Sequence, residues 1–346
     1  MKTQAVLFSA PGVVETCTVD VPDLGPREIM TESIVTTISP GTEIRMLAGH
    51  YGAAGKFPYV PGYNAISRIV EVGSEAKEWR VGDLVSTINP RAFAGTTCLY
   101  GAHSKIQVHA LDIDQRPIPL PEIPDPTDYA LVEIGAISLR GVLAAVPQPG
   151  ESAVVIGQGL IGLLSAAWLV SKGCRVAVAD MSPERLQRSL AIGADFAIKA
   201  DEADIKERLL THSRGGFDIV VEASGSHPGA ELACQLIRQT PPMARGQYVR
   251  EPIVTYTGRW PRLVFQANYL EPFAFNPHAS LRGEGAIVIA SGDRGVDERQ
   301  RCAQGLRDGA IPVGKLIDKV FPWDQAPAAY EQLAALKIQG AVLKWG

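Results

Sequence analysis

The sequence lacks the spacings and runs that mark several protein classes. Its five cysteines, Cys17, Cys98, Cys174, Cys234 and Cys302, are scattered, with no C-x-x-C spacing among them. This argues against a disulfide framework and against a thiolate-rich zinc site, and makes reduced thiols in a cytoplasmic protein the expectation. No apolar run approaches the roughly 18 residues of a membrane span. The start, Met1–Gly12, reads as a strand rather than as a charged segment before a long apolar core. Neither a signal peptide nor a membrane partner is expected. There is no long basic run and the net charge is −4, so nucleic acid is not an expected partner. Internal repeats and low-complexity tracts are missing too.

What is present is ordinary globular composition, 46% hydrophobic and 20% charged, over 346 residues. That length exceeds what most single cores serve, so two domains are expected. Up to about residue 120 the chain reads as short strands between Gly/Pro turns: Thr3–Phe8, Ile29–Ile38, Ala65–Val72 and Leu84–Ile88, the last preceded by Gly82-Asp83. Such patterning suits a partly open barrel. The proline-rich stretch Pro117–Pro126 reads as an interdomain connector, and Tyr129–Val146 as a helix.

From Ser152 strands alternate with helices. Pro183–Ile192, Ile205–Ser213 and Ala230–Arg238 read as helices. Ala194–Ile198, Asp218–Glu222, Ile253–Tyr256 and Ala286–Ala290 read as strands. This alternation predicts an α/β fold with a doubly wound parallel sheet. Two helices, Asp297–Gly309 and Pro327–Leu336, precede a short strand, Ala341–Trp345, that could rejoin the first domain. The expected division is residues 1–128 with 295–346 as a β-rich substrate domain, and residues 129–294 as a nucleotide domain.

The richest stretch is Ala153–Asp180. An apolar strand runs into Gly157-Gln158-Gly159-Leu160-Ile161-Gly162, followed by an apolar helix and a second strand closing on Asp180. Gly157 permits a tight turn, Gly159 lets backbone approach a pyrophosphate, and Gly162 lets helix pack on strand. The helix N-terminus offers unpaired N–H groups to the phosphates. Asp180, at the tip of the second strand, suits a ribose 2′-hydroxyl and repels a 2′-phosphate, which favours NAD over NADP. Met181 follows it; Arg185 could soften that preference, or could be a solvated first-turn residue of the next helix.

A β-rich first part, a mid-chain Rossmann unit and a late return to the first domain resemble the medium-chain dehydrogenase/reductase family, with its GroES-like N-terminal domain. Pro61-Gly62 with Ile69–Gly73, Arg80–Val85, Glu133–Val142 and Phe217–Gly225 match its segments in order. The last of these, with Ala223, Ser224 and Gly225, is the family's strand against the cofactor. The motifs Ser39–Glu43 ("SPGTE"), Val60–Tyr63 ("VPGY") and Leu343-Lys344-Trp345 look most like the bacteriochlorophyllide dehydrogenase-like branch, which is implied to oxidise a secondary alcohol with NAD.

The departures bear on mechanism. Zinc-dependent members hold the metal with a Cys in C-G-[ST]-D and a His in G-H-E. Here those motifs read Pro40-Gly41-Thr42-Glu43 and Gly62-Tyr63-Asn64. Of the usual ligand positions only Glu133 keeps a carboxylate, and catalytic zinc takes three protein ligands. The four-cysteine structural loop is missing as well; Asn89–Gly101 contains only Cys98. No metal is expected.

Without a metal, a hydrogen-bonding group must handle the hydroxyl proton. The resemblance implies four candidates. Thr42 matches the family's hydroxyl relay, or caps a helix over Ile44–Ala48. Tyr63 replaces the ligand His, or merely fills its space. Asn64 could orient substrate, and Glu133 could be the general base, or pair with Arg140. His50 and Tyr51 lie at the expected substrate-side mouth, whereas His103 begins a strand. Pro241–Pro272, rich in arginine and aromatics, reads as a lid or a subunit contact. The expectation is a zinc-independent, NAD-dependent secondary-alcohol dehydrogenase forming a homodimer or homotetramer. An NADPH-dependent enoyl or quinone reductase and a non-catalytic NAD-binding protein are the alternatives.

Overall fold

The computed structural model describes all residues except 51, 98, 114, 214, 239–259, 270, 271, 273, 275–284, 291, 293 and 294. The chain divides into two compact units, Met1–Ala136 with Asp293–Gly346, and Ile137–Gly292. Residues 129–136, expected in the nucleotide domain, fall in the first unit.

In the first unit β1 (Lys2–Ala10) and β2 (Val13–Asp20) pair antiparallel, turning at Gly12, whose φ of +77° suits glycine. The spine is β3 (Glu28–Ile38), followed by helix α1 (Pro40–Leu47). β3 pairs antiparallel with β4 (Ala65–Val72), which pairs with β5 (Leu84–Thr87). β6 (Ile106–Ala110) and the C-terminal strand Ala341–Lys344 also bond to β3. The return of the chain end is therefore a strand addition, as its apolar run suggested. The proline-rich stretch is not a free connector: β7 (Ile118–Pro119) bonds to β5, and the next residue, Leu120, donates its N–H to Leu84 O at 2.8 Å. The core joins Val6, Phe8 and Ile38 to Phe321, Tyr330 and Leu343 from the end of the chain.

Residues 129–146 do not form one helix. A 3-10 turn over Pro126–Tyr129, capped by the Asp125 carboxylate on Thr127 N–H at 2.9 Å, precedes α2 (Val132–Ala144).

The second unit contains β8 (Ser152–Ile156), α3 (Leu160–Ser171), β9 (Arg175–Asp180), α4 (Pro183–Ala191), β10 (Phe196–Lys199), α5 (Ile205–His212), β11 (Ile219–Glu222), α6 (His227–Leu236), β12 (Arg262–Phe265) and β13 (Ala286–Ile289). The strands form one parallel sheet in the order β10-β9-β8-β11-β12-β13. β8 is buried throughout, as expected for a central parallel strand covered on both faces. α3 is apolar nearly all round and correspondingly buried from Leu160 to Leu169 apart from Ile161. α4 starts where Ser182 Oγ accepts the Arg185 N–H at 3.3 Å, with Pro183 at its first position.

The expected strand Ile253–Tyr256 lies outside the described residues. The loop expected over Pro241–Pro272, as a lid or a subunit contact, is corrected where it can be seen: Arg262–Phe265 is the core strand β12, with Leu263 and Val264 fully buried. Its arginine is accommodated because Arg262 pairs with Glu151 at 2.6 Å and donates to Ala145 O at 2.9 Å. Among the described residues no helix is long and apolar enough to cross a membrane.

Candidate functional site

In the second unit the glycine turn follows β8. Gly157 has φ +86°, and a side chain there would lie 2.6 Å from the Ser224 backbone. A Cβ on Gly162 would sit 1.8 Å from Gly157 O, so helix and strand could not close. Gly159 is different. It is the N-cap of α3 at φ −65°, and a Cβ there would meet nothing within 4 Å. Its bareness serves no internal packing and leaves room for something to approach the backbone. The first N–H groups of α3, from Leu160 and Ile161 onward, have no acceptor within the helix. This cradle fits a pyrophosphate.

Gln158 is fully buried, and its side chain turns inward. It donates to Val155 O at 2.9 Å and Gly157 O at 3.1 Å, and accepts from Ser189 Oγ at 2.9 Å. It shapes the turn from within. The Asp180 carboxylate accepts the Gln158 N–H at 2.6 Å and the Ser182 N–H at 2.8 Å. Arg185 comes within 3.7 Å of it, so the arginine read as a solvated first-turn residue is half-buried beside the acid. A carboxylate has about four lone-pair sites, so capacity remains for ribose hydroxyls. Met181 is exposed.

At the tip of β11 the Ala223–Gly225 loop presses on Gly157. It is held by a residue given no site role from sequence. Buried Glu222 accepts from Ser224 N–H at 2.8 Å, Gly225 N–H at 3.3 Å and the hydroxyls of Ser224 and Tyr269. Burial pushes the Tyr269 phenol up, and the Glu222 charge adds to this. The available signal was an acid ending an otherwise apolar strand.

The first unit carries the positions read as vacated metal ligands. Pro40 opens α1, with Ser39 as its N-cap. Thr42 is therefore inside the first turn and does not cap a helix over Ile44–Ala48; its N–H donates to Ser39 O at 3.1 Å. Tyr63 is 6% exposed and donates its hydroxyl to Ser39 Oγ at 2.6 Å. Its ring lies 5.4 Å from that of Tyr100. Buried Asn64 donates through Nδ2 to Ala130 O at 2.5 Å, while its Oδ1 has no hydrogen-bond partner.

Glu133 is fully buried and paired with Arg299 at 2.8 Å, and Ser86 Oγ donates to it at 2.5 Å. Arg299 is thus a cation at Glu133 that sequence did not suggest; Arg140, the partner considered there, is half-buried on α2. A carboxylate clamped by a guanidinium is poorly placed to accept a proton. His50 is exposed in the turn after α1, and Tyr51 lies outside the described residues. Among the described residues no three His, Cys, Asp or Glu side chains converge as a metal set. The residues at the vacated positions do not fit zinc: a proline, a phenol donating elsewhere, an amide and an ion-paired carboxylate.

Behind Tyr63 lies a network that was missed from sequence. Glu43, fully buried, accepts from Ser39 N–H at 2.8 Å, His103 Nε2 at 3.0 Å and the Tyr330 hydroxyl. Burial pushes the Tyr330 phenol well up, with the Glu43 charge adding to it.

Residues 26–112 match the model of the alcohol dehydrogenase GroES-like domain, and residues 161–243 that of the zinc-binding dehydrogenases. The matches support a medium-chain, alcohol dehydrogenase-like family. The chain is similar to the sorbitol dehydrogenase of Halalkalibacterium halodurans, 30% identical over 61% of this chain and 65% of that protein, just under two thirds of the relative's length. Two solved structures share the fold. One is an alcohol dehydrogenase from E. coli complexed with NADH, with a TM-score of 0.81 and 19% identity, covering 99% of both chains. The other, described as a zinc-binding dehydrogenase, from Sinorhizobium meliloti and bound to NADP, has a TM-score of 0.81 and 19% identity over 100% of both chains.

Proposed function

We propose that this alcohol dehydrogenase-like protein is an oxidoreductase acting on CH–OH groups, oxidising a secondary alcohol to a ketone with NAD and without zinc. The substrate class is polyol-like or ring-bearing. The polyol reading draws on the sorbitol dehydrogenase relative, and the ring-bearing one on the short motifs Ser39–Glu43 and Val60–Tyr63. A bound nicotinamide dinucleotide supplies the hydride acceptor. The Gly157–Gly162 turn and the α3 N-terminus would hold its pyrophosphate, and Asp180 its ribose.

The observation that carries the reading is the 2.6 Å hydrogen bond from Tyr63 to Ser39 where the family keeps a metal ligand. A phenol that donates in one direction keeps its oxygen as an acceptor in another. As the alcohol loses hydride, its hydroxyl proton passes to Tyr63 Oη and the phenolic proton to Ser39 Oγ. The Ser39 hydroxyl proton leaves to water, to which the residue is 6% exposed. Glu133 is assigned to structure, because Arg299 neutralises it.

The test is NADH formation with a panel of secondary alcohols after chelator treatment. Tyr63→Phe is expected to lower kcat by about 10²–10⁴-fold, the usual worth of a general acid–base group, with NAD affinity unchanged. Stoichiometric zinc in active protein, or an unaffected Tyr63→Phe variant, would overturn the assignment. NADPH consumption with enones and none with ketones would identify a double-bond reductase instead.

A further inference from the structure

We propose that Glu43, His103 and Tyr330 form a positioning device that aims the Tyr63 hydroxyl; the inference rests on the reading that Tyr63 handles the substrate proton. Two buried titratable side chains meet at one buried carboxylate, with exposures of 0% for Glu43, 0% for His103 and 1% for Tyr330. Burying such groups is costly, and an apolar cluster of similar volume is commonly as stable or more so. Stability alone therefore gives no reason for this choice of residues. Geometry does.

One Glu43 oxygen accepts the Ser39 N–H at 2.8 Å, which fixes the residue that receives the Tyr63 proton. The other oxygen is held by His103 Nε2 at 3.0 Å and by the Tyr330 hydroxyl. His103 acts on the opposite member of the pair as well. Its N–H donates to Pro61 O at 2.9 Å, and its ring lies so close to Gly62 that a Cβ there would come within 2.7 Å. Gly62 holds φ +88°, so only glycine lets the segment carrying Tyr63 lie on that ring without strain. Nδ1 of the same ring meets Thr36 Oγ1 at 2.8 Å, and Trp345 Nε1 donates to that hydroxyl at 3.0 Å. One imidazole thus braces Tyr63 through the Pro61-Gly62 backbone and Ser39 through Glu43. The C-terminal segment supplies Tyr330 and Trp345, so the aim of Tyr63 depends on the end of the chain.

The experiment compares Tyr330→Phe, which deletes one buried hydroxyl, with the isosteric Glu43→Gln. Tyrosine is labelled with ¹³C at Cζ, and the Tyr63 resonance is assigned by its loss in Tyr63→Phe. Each variant is expected to shift that resonance. Each is also expected to lower kcat about tenfold, the scale of a sub-ångström misplacement, with KM for NAD unchanged. In the Tyr63→Phe background, Tyr330→Phe is expected to cost no further turnover, since both changes act through one group. An unshifted Tyr63 resonance in folded Tyr330→Phe protein would overturn the positioning role, whatever the activity. A shifted resonance with full activity in Tyr63→Phe would uphold the brace and remove the catalytic reading instead. Should Glu43→Gln fail to fold, Tyr330→Phe carries the same test.

Discussion

Glu133 and Arg299, 166 positions apart, form an ion pair in which neither side chain is exposed. The guanidinium also donates to Arg116 O at 2.5 Å and Ser86 O at 3.1 Å, so it ties α2 to the segment before β7 and to β5. Removing one partner leaves an uncompensated buried charge, which typically costs about 3–5 kcal/mol. Arg299→Met is therefore expected to lower the urea midpoint strongly. Glu133→Leu combined with Arg299→Met is expected to recover part of that loss, with the two carbonyls still short of a donor. Folded Glu133→Gln should turn over within a few-fold of the parent. A loss of about 10²-fold or more in folded protein would return Glu133 to the role of general base.

Gly159 and Gly162 are expected to separate binding from folding. Gly162→Ala forces a Cβ to 1.8 Å from Gly157 O and is expected to destabilise the second unit. Gly159→Ala meets nothing within 4 Å at an ordinary φ, so its melting temperature should stay near that of the parent. Its NAD affinity, measured by calorimetry, is expected to fall about tenfold or more, because the methyl occupies the approach to the phosphates. Unchanged NAD binding in Gly159→Ala would show that the cofactor does not approach this backbone.

These contrasts mark what could be read from the chain. The glycine turn was legible because strand, turn, helix and Asp180 are contiguous and each step has a local physical code. The departures from the family's metal motifs at Pro40, Tyr63 and Asn64 could be read because they sit beside recognisable turns. The partners were not. Arg299 for Glu133 and Tyr330 for Glu43 are fixed only by tertiary packing, and the second pair is 287 positions apart. β12 was misread because Arg262 at its start looks like a surface residue. Its charge is buried against Glu151, which no local pattern announces.

Asp180 holds the glycine turn, and on the proposed reading it also selects NAD; the two roles can be pulled apart. Its carboxylate holds the turn through Gln158 N–H and stands 3.7 Å from Arg185. Asp180→Asn keeps an acceptor for the turn but removes the negative charge. The NAD/NADP ratio of kcat/KM is expected to fall about 10- to 100-fold, as the repulsion of a 2′-phosphate disappears and Arg185 loses its counter-charge. Following this with Arg185→Ala should reverse the NADP gain. A ratio unmoved by Asp180→Asn would mean that selectivity lies elsewhere.

His109 is expected to make the fold acid-sensitive. It lies on β6, almost fully buried, with Nε2 at 3.1 Å from Gln107 Oε1. Burial pushes its pKa down from 6.5 to about 3, and the Arg299 charge acts in the same direction. Above about pH 6.5 both folded and unfolded chains hold a neutral imidazole, and the residue contributes no pH dependence. Below that the unfolded chain takes up a proton that the folded chain refuses. Stability therefore falls with pH, by up to about 1.4 kcal/mol per unit for this one group, until the folded pKa near 3 is reached. His109→Gln removes the titration while keeping a polar side chain of similar reach. Urea unfolding between pH 4 and 7 is expected to show a shallower acid limb in the variant by close to one proton. Parallel limbs for variant and parent would mean that His109 is protonated in the folded protein, or that the site admits water.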